Sequence, residues 1–260
     1  MTRSALGSWY EREGRHDLPW RLTRDRWAVL VSEVMLQQTQ VARVLVAWPR
    51  FVARFADPET TAAGGPGAVI AAWDRLGYPR RARRLWESAV VITEHGWPDD
   101  LSTLPGVGRY TAGAVRALAD DVDVPAVEVN VRRVVERVAG RRLSTTGAEA
   151  ESVRIGRGLV PRDRLLALMD VGAQLCRPRN PDCGACPLRR RCAARGPLDD
   201  ETRHRQAPFE GSFRQRRGRV MARLRADRAV ALEQLDREAL ASLVADGLAA
   251  VTDRTAGLPP

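Results

Sequence analysis

The 260-residue sequence contains no lysine, so all 42 of its basic side chains are arginines. This absence excludes mechanisms that need a lysine amine, such as a Schiff base with an aldehyde. Aromatic residues, at 5% of the chain, are few for a β-sandwich. No window approaches the roughly 18 consecutive apolar residues of a membrane-spanning helix, and the N-terminal segment lacks the apolar core of a signal peptide. We therefore expect a cytoplasmic protein with no membrane partner.

The charge of the chain is strongly positive. Against the 42 arginines stand 32 acidic residues, which gives a formal net charge of +10 and an isoelectric point near 10.8. Such a balance favours a polyanionic partner, and nucleic acid is the first candidate. An arginine- and alanine-rich chain without lysine is also typical of a GC-rich genome, so a solvated basic surface stays open as the alternative.

Apolar residues recur mainly at helical spacing, and strict alternation is rare. The sequence therefore predicts an all-α fold. The expected helices are a single long one over 26–46 and shorter ones near 67–75, 80–95, 110–119, 129–139 and 161–175.

The composition changes after residue 192. Residues 193–213 are polar and rich in turn formers, which predicts a linker. Residues 214–260 regain a helical pattern and predict a small basic helical module, either winged-helix-like or a helical appendage packed on the main domain. Residues 203–225 contain eight arginines and one glutamate, so we expect this segment to bind phosphate without reading sequence.

All four cysteines fall in one short segment with the spacing C-x6-C-x2-C-x5-C, at Cys176, Cys183, Cys186 and Cys192. In a reducing compartment such a cluster indicates metal ligands rather than disulfides. Four thiolates can hold zinc or the corners of a [4Fe–4S] cube, and the spacing alone favours zinc slightly. The arginines between these cysteines predict a phosphate-binding surface, with a solvated basic face as the alternative.

A glycine-rich turn lies between two helical stretches, with the sequence L-P-G-V-G-R-Y-T-A-G over 104–113. Gly106 and Gly108 are able to adopt positive φ and to bring backbone N–H groups close to a ligand. The helix that follows presents the positive end of its dipole. The segment therefore predicts a hairpin that binds a DNA phosphate, with Arg109 beside it.

Several motifs together resemble one family. They are L-P-W-R at 18–21, S-E-V-M-L-Q-Q-T-Q at 32–40, L-G-Y at 76–78, L-P-G-V-G-R-Y-T-A-G-A at 104–114, N-V-R-R-V at 130–134 and L-M-D-V-G-A at 168–173. With the cysteine spacing, they make residues 8–192 similar to the adenine glycosylases of the MutY type, within the helix-hairpin-helix DNA glycosylases of the endonuclease III superfamily.

The resemblance implies a two-domain helix-hairpin-helix fold. A six-helix barrel would span 20–130, and residues 1–19 would join 131–192 in a second domain that carries a [4Fe–4S] cluster on the four cysteines. DNA would bind in the cleft between the domains, with the target nucleotide flipped out of the duplex. The implied partner is double-stranded DNA with a mismatched adenine, bound by a monomer that is associated with the nucleoid.

Two carboxylates carry the expected chemistry. Glu33 lies in an apolar stretch, where desolvation would raise its pKa and keep it protonated, and the resemblance assigns it the role of general acid toward the departing adenine. Glu128 stands where the family has an aspartate, two residues before Asn130, and would stabilise positive charge on the deoxyribose. A helix-capping role for Glu128 is the alternative, with Asn130 beginning the helix.

Tyr110 occupies the position of the Schiff-base lysine in lyase-competent relatives. Because the chain has no lysine at all, we expect a monofunctional enzyme that hydrolyses the N-glycosidic bond and leaves the strand intact. A further departure is Leu166, at a position where the family has an acidic residue close to adenine.

The remaining expected contacts are with DNA. Gln37 and Gln38 resemble the residues that enter the duplex where the base has left, and Tyr78 resembles an intercalating wedge. Arg21 matches an arginine near the adenine pocket. Two other functions stay open: a thymine or uracil mismatch glycosylase on the same scaffold, and a catalytically weak DNA-binding damage sensor.

Overall fold

The computed structural model describes residues 4–199, 201 and 208–260, which fold mainly into helices. None of the helices in these residues is long and apolar enough to cross a membrane. The helices are α1 (Ala5–Glu13), α2 (Arg26–Leu36), α3 (Val41–Arg54), α4 (Pro58–Ala63), α5 (Gly65–Ala72), α6 (Arg80–His95), α7 (Arg109–Ala119), α8 (Val129–Ala139), α9 (Thr145–Ile155), α10 (Pro161–Asp170), α11 (Phe213–Ala226) and α12 (Arg237–Ala245).

The all-α prediction is confirmed, apart from a small sheet near the C-terminus. One expected helix is wrong: residues 26–46 form two helices, because α2 ends at Leu36 and α3 begins at Val41. Between them Gln38 has φ of +56°, a left-handed conformation that stops a helix. The spacing of apolar residues does not reveal one residue in a left-handed conformation. The helix predicted over 161–175 ends at Asp170 and continues as a π-helical turn over Val171–Leu175.

The chain divides into two compact units, which differ from the expected domains. The first contains residues 1–29 and 108–203, and the second contains 30–107 and 204–260. Residues 108–130 therefore leave the barrel that was expected over 20–130, because α7 packs against α10. Part of the expected linker, residues 200 and 202–207, lies outside the described residues.

Helix α10 is the centre of the first unit, where it packs against α1, α7, α8 and α9. At its end Asp170 is fully buried. Arg21 donates to both carboxylate oxygens, at 2.7 and 2.8 Å, and Arg15 donates through its backbone N and its Nε, at 2.9 and 2.7 Å. Burial alone would raise the pKa of Asp170, but the hydrogen bonds and charges of Arg21 and Arg15 hold it below its ordinary value. This cluster ties the N-terminal segment to α10.

The second unit contains two parts that are far apart in the sequence. Helix α6 packs against α4 and α5. Residues 213–257 add α11 and α12 and an antiparallel sheet in the order β1 (Val230–Ala231), β3 (Thr255–Gly257) and β2 (Ala250–Val251). The order helix, strand, helix, strand, strand is compatible with the winged-helix-like alternative of the sequence prediction, which stays a prediction. The three strands are too short for apolar alternation to reveal them.

Asp246 is one link between this C-terminal module, residues 208–260, and the rest of its unit. Asp246 accepts a hydrogen bond from Arg217 of α11 at 2.5 Å and another from Arg80 of α6. Its carbonyl oxygen accepts a third from Arg83, at 3.0 Å. Asp246 therefore links α11 to α6.

The arginine count of residues 203–225 overstates the charge that the segment can offer to DNA. Within its described part, Arg216 pairs with Asp236 and Glu238, Arg217 pairs with Asp246, and Arg223 pairs with Asp227. These guanidinium groups stabilise the module itself. Net charge in a sequence does not show which cations are already paired.

The Asp170 cluster gives a prediction for stability. Asp170→Asn removes the negative charge from two arginines in a buried setting, and we expect it to lower the free energy of unfolding by about 3–5 kcal/mol. Denaturant unfolding at neutral pH measures the loss. The exposed Asp17→Asn substitution is the matched control and should stay within about 0.5 kcal/mol of wild type.

The pH dependence has a defined sign. Because the folded state holds the pKa of Asp170 low, its stabilising contribution is complete above the ordinary aspartate pKa of about 3.9 and is lost as the pH falls through the lower folded value. The gap between wild type and Asp170→Asn should therefore close only in strong acid. A gap that closes well above the ordinary aspartate pKa of about 3.9 would contradict this assignment.

Candidate functional site

A cavity of about 260 Å³ in the second unit brings together four of the residues expected to contact DNA. These are Gln37, Gln38, Tyr78 and Gly106. The rest of the lining comes mainly from α2 and α6: Val34, Arg80, Arg81, Arg84, Leu85, Ser88 and Pro105. Three separate motifs of the sequence thus meet at one surface opening.

The backbone around this cavity is held in uncommon conformations. Gln38 and Tyr78 have φ of +56° and +49°, and the preceding Gly77 has φ of +78°. Non-glycine residues rarely adopt positive φ, and such strain persists only where the surroundings fix it. The ring of Tyr78 is 43% exposed. A strained loop that presents an exposed ring suits a wedge between stacked bases.

Arg81 fixes this strained loop, a role that was not predicted from the sequence. Its Nη1 donates to the carbonyls of Val34, Met35 and Gln37 at the end of α2, at 2.8, 2.9 and 2.6 Å. Its Nη2 donates to the Leu76 and Gly77 carbonyls and to Thr39 Oγ1, at 3.3, 3.0 and 3.0 Å.

The guanidinium of Arg81 also lies over two rings, 5.3 Å from the centroid of Trp73 and 5.6 Å from that of Tyr78. Burial lowers its pKa to about 10, which still leaves it charged at neutral pH. Arg81 therefore joins the C-terminal end of α2 to the loop that carries the wedge. Arg81 lies in the first turn of α6, three residues after Tyr78, which by itself indicates no such role.

Glu33 lies on α2, one helical turn before Gln37, and is 4% exposed. Residues four apart share a helix face, and both Val34 and Gln37 line the cavity. The structure thus places a buried carboxyl next to the group of residues expected to contact DNA. Taking an ionised carboxylate out of water is costly, and the burial predicted for Glu33 is confirmed.

The hairpin glycines differ from each other. Gly106 has φ of +79°, and a Cβ there would lie 2.9 Å from the Arg84 Cβ, so only glycine fits. Gly108 does not adopt a positive φ. Its φ is −89°, and it precedes α7 without a side-chain cap. Open space surrounds Gly108, since a Cβ on it would meet nothing within 4 Å. The uncapped start of α7 is suited to an anion.

In the first unit, Glu128 caps helix α8, as its capping interpretation predicted. Its carboxylate accepts hydrogen bonds from the backbone N–H groups of Asn130 and Val131, at 2.7 and 2.9 Å, and from Asn130 Nδ2 at 3.0 Å. Desolvation raises the pKa of Glu128, although these hydrogen bonds and the charge of Arg133 oppose the shift. The cap fixes the carboxylate in one orientation, which a charge-stabilising role also requires.

Helix α8 also holds the cysteine segment. Arg133 donates to the Cys176 carbonyl at 2.6 Å, to the Gly172 carbonyl at 2.7 Å and to Asn130 Oδ1 at 2.7 Å. One turn later the buried Arg137 donates to Cys176 Sγ at 3.4 Å, and its own carbonyl accepts from Cys192 Sγ at 3.3 Å. A chain of hydrogen bonds therefore runs from the cap of α8 to the first cysteine.

All four cysteines line one small cavity, of about 20 Å³. They are partly exposed thiols rather than disulfides. Among the described residues, no three histidine, cysteine, aspartate or glutamate side chains are arranged to hold a single metal ion. The donor set at this cavity is thus four thiols around a shared space.

The other expected residues of the first unit are paired or half-buried. Arg21 is held by Asp170, as described above. Arg109 donates to both carboxylate oxygens of Glu149, at 2.9 and 2.8 Å, while its side chain stays 73% exposed. Tyr110 is half-buried at the start of α7. Arg109 can therefore present a charge in a fixed place.

Comparisons with known proteins agree with the sequence motifs. The profile of the HhH-GPD superfamily base excision DNA repair proteins matches residues 31–154. The adenine DNA glycosylase of Mycobacterium tuberculosis (strain CDC 1551 / Oshkosh) is 44% identical over 247 residues, which cover 85% of this chain and 77% of that protein. The adenine DNA glycosylase of Mycolicibacterium smegmatis is 41% identical over 94% of this chain and 90% of its own. Among solved structures, a thermostable thymine-DNA glycosylase superposes with a TM-score of 0.66 at 28% identity, over 74% of this chain and 93% of the other.

The hydrogen bonds of Arg81 predict a large effect on stability. Arg81→Met keeps an apolar stem and leaves several carbonyls without a donor, so we expect the free energy of unfolding to fall by about 3 kcal/mol. Denaturant unfolding measures it, with the exposed Arg75→Met as the matched control. Equal stability of the two variants would show that water replaces the guanidinium at no cost.

Proposed function

Because the chain belongs to the adenine DNA glycosylases of the HhH-GPD superfamily, we propose that it removes adenine mispaired with guanine or 8-oxoguanine in double-stranded DNA. The reaction is hydrolysis of the N-glycosidic bond, which starts base excision repair. The observation that carries the proposal is the buried carboxyl of Glu33, one helical turn from a cavity lined by two glutamines and a strained tyrosine.

Glu33 acts as the general acid in this proposal. The bond from deoxyribose to adenine breaks more easily when the departing base accepts a proton. The burial of Glu33 supports this role, because it shields the carboxyl from bulk water beside the residues expected to contact DNA. Its place on α2, stabilised at the C-terminal end by Arg81, keeps the proton donor in position before DNA binds.

Glu128 stabilises the positive charge that develops on the deoxyribose as the base leaves. Its hydrogen bonds to the start of α8 support this role, because they orient the carboxylate and partly offset the cost of its burial. Asn130 contributes the amide that donates to Glu128 Oε2 at 3.0 Å. Water then adds to the sugar carbon and completes the hydrolysis.

Tyr110 replaces an amine nucleophile, and no lysine exists elsewhere in the chain. The product is therefore an abasic site in an intact strand rather than a nicked one. In DNA binding, Gln37 and Gln38 enter the space that the flipped nucleotide leaves, and Tyr78 supports the kinked stack. Backbone N–H groups after Gly106 and Gly108 hold a phosphate, and Arg109 adds charge beside it.

Arg21 has a different place in this scheme. Its guanidinium is committed to Asp170, so we propose that it positions the N-terminal segment rather than contacting adenine directly. The arginine of the L-P-W-R motif is therefore explained as well by this buried ion pair as by a contact in the adenine pocket.

The four cysteines would hold a [4Fe–4S] cluster. Four thiols around one cavity suit the four corners of a cube. The cluster would cross-link residues 176–192 and keep this segment beside α8. The arginines between the cysteines would then contact DNA phosphates. We propose no redox step for it.

The chemical proposal predicts a specific pattern of rates. Glu33→Gln removes the transferable proton and should abolish single-turnover release of adenine from A:G and A:8-oxoguanine duplexes. Glu128→Gln removes the charge and should lower the rate by about a hundredfold or more, whereas Glu128→Asp should retain most of it. Alkali treatment after the reaction reveals abasic sites, and strand cleavage without alkali would contradict monofunctional hydrolysis.

The wild-type rate should also fall on the acid side of the pH profile. Glu128 acts as an anion, and because its pKa is raised in the folded protein, activity is lost below a pH that is higher than the ordinary glutamate pKa of about 4.3. Equal rates for wild type and Glu128→Gln would exclude a chemical role. Release of thymine or uracil instead of adenine would favour the mismatch alternative, and no release by any variant would favour the damage sensor.

The cluster makes a separate prediction. The purified protein should be brown, absorb near 400 nm and contain about four irons per chain. Cys186→Ser should lower the yield of folded protein before it changes the rate of the folded fraction, because the cluster is structural. One tightly bound zinc per chain with no iron would contradict this assignment.

A further inference from the structure

Exposed aromatic side chains converge on one place in the second unit. Among the described residues, the phenylalanine, tyrosine and tryptophan side chains that stay exposed are Tyr78, Phe209 and Phe213, at 43, 57 and 38%. All three line the same cavity, which has a volume of about 650 Å³. A soluble protein seldom leaves several large apolar side chains exposed together unless the patch binds something.

The same cavity is strongly cationic. Arg80, Arg214, Arg217 and Arg225 line it, with Asp246 as the only carboxylate in its lining. A guanidinium also lies against each exposed ring, 5.7 Å from the centroid of Phe209 for Arg214, 5.4 Å from that of Phe213 for Arg216 and 5.6 Å from that of Tyr78 for Arg81. The cavity therefore offers aromatic faces and positive charge together.

This chemistry selects a nucleotide. Aromatic faces stack on any base, and arginines pair with the phosphates on either side of it, which is how proteins bind unpaired strands. An acidic peptide would need the arginines but not three exposed rings, and a purely apolar ligand would need the reverse. A volume of about 650 Å³ lies within the usual range of ligand sites, roughly 300–1,000 Å³.

The position of the cavity indicates which nucleotide of the DNA would occupy it. Tyr78 and Gln38 line both this cavity and the 260 Å³ cavity of α2 and α6. The proposed wedge thus has one cavity on the side of Gln37 and Gly106 and another on the side of Phe209 and Phe213. Asp246, through its bonds to Arg80 and Arg217, holds α11 beside the loop that carries the wedge.

We propose that the cavity between α11 and the Tyr78 loop binds a nucleotide of the substrate DNA that has left the base stack next to Tyr78. Its base stacks on Phe209 and Phe213, and Arg214 and Arg80 contact its phosphates. This inference rests on the proposed function, because DNA is taken as the ligand. It assigns to residues 208–226 a contact with unpaired DNA instead of the uniform phosphate binding that their charge predicts.

The test uses three fluorescent oligonucleotides and no base release. They are a fully paired duplex, the same duplex with a tetrahydrofuran abasic analogue opposite guanine, and a single strand. The Phe209→Leu/Phe213→Leu double variant keeps apolar volume but loses the ring faces. We expect its affinity for the abasic duplex and for the single strand to fall by about tenfold or more, and its affinity for the paired duplex to change less than about twofold.

The matched control is Val244→Ala/Val251→Ala. These two side chains are exposed apolar positions of the same module and do not line the cavity, so all three affinities should equal those of wild type. Thermal unfolding of both double variants checks that the fold is intact. An equal loss for all three oligonucleotides, or no loss for any of them, would overturn the proposal, and the second result would leave the patch to a protein ligand.

A direct contact can be mapped as well. When 5-iododeoxyuridine replaces the nucleotide beside the abasic analogue, irradiation should cross-link it to the tryptic peptide of residues 206–214, which contains both phenylalanines. Cross-links confined to other peptides would overturn the assignment. Because neither readout needs catalysis, an enzyme that releases no adenine would refute the proposed function while leaving this test valid.

Discussion

The carbonyl groups at the C-terminal ends of helices need hydrogen-bond donors from elsewhere in the protein, and the functional segments depend on how this need is met. The last turn of a helix has no internal donors for them, and a buried carbonyl without a partner is costly. In this protein arginine supplies the donors. Arg81 pairs the end of α2, Arg162 bonds the Leu118 carbonyl at the end of α7, and Arg133 bonds the Gly172 and Cys176 carbonyls beyond α10. A planar guanidinium has five donors in a fixed fork, which a lysine ammonium lacks.

Each of these helix ends leads into a segment with a proposed role in function. Residues 37–40 follow α2, residues 120–128 follow α7 and end in the carboxylate that caps α8, and the cysteine segment follows the π-helical turn. The arginines therefore have two uses that composition cannot separate. Those that pair carbonyls and carboxylates in buried positions build the site, whereas the largely exposed Arg80 and Arg109 are also proposed to contact DNA, so a net charge of +10 overstates the cationic surface.

The local motifs were predictable from the sequence, whereas the residues that hold them together were not. The burial of Glu33 and the turn at Gly106 follow from neighbouring residues, because apolar flanks and a glycine are local signals. Arg81 bonds groups up to 47 positions away, so no window of sequence shows its role. Phe209 belongs to a stretch that composition identifies as a linker. Its exposure beside Tyr78 depends on the packing of α11, which contacts distant in the sequence determine, such as those with α12 and Asp246.

The wedge loop shows why such distant support is needed. Tyr78 has a positive φ and an exposed ring, both of which disfavour the loop in isolation. Arg81 lies under the ring and bonds the Gly77 carbonyl, while Arg80, on the same turn of α6, bonds Asp246. These bonds of Arg80 and Arg81 form within the protein itself, so they hold the strained loop in place without DNA. In the proposed role of a wedge, a tyrosine already fixed in its unusual conformation would lose little entropy on entering the duplex, so more of the binding energy would remain to unstack the bases on either side of it.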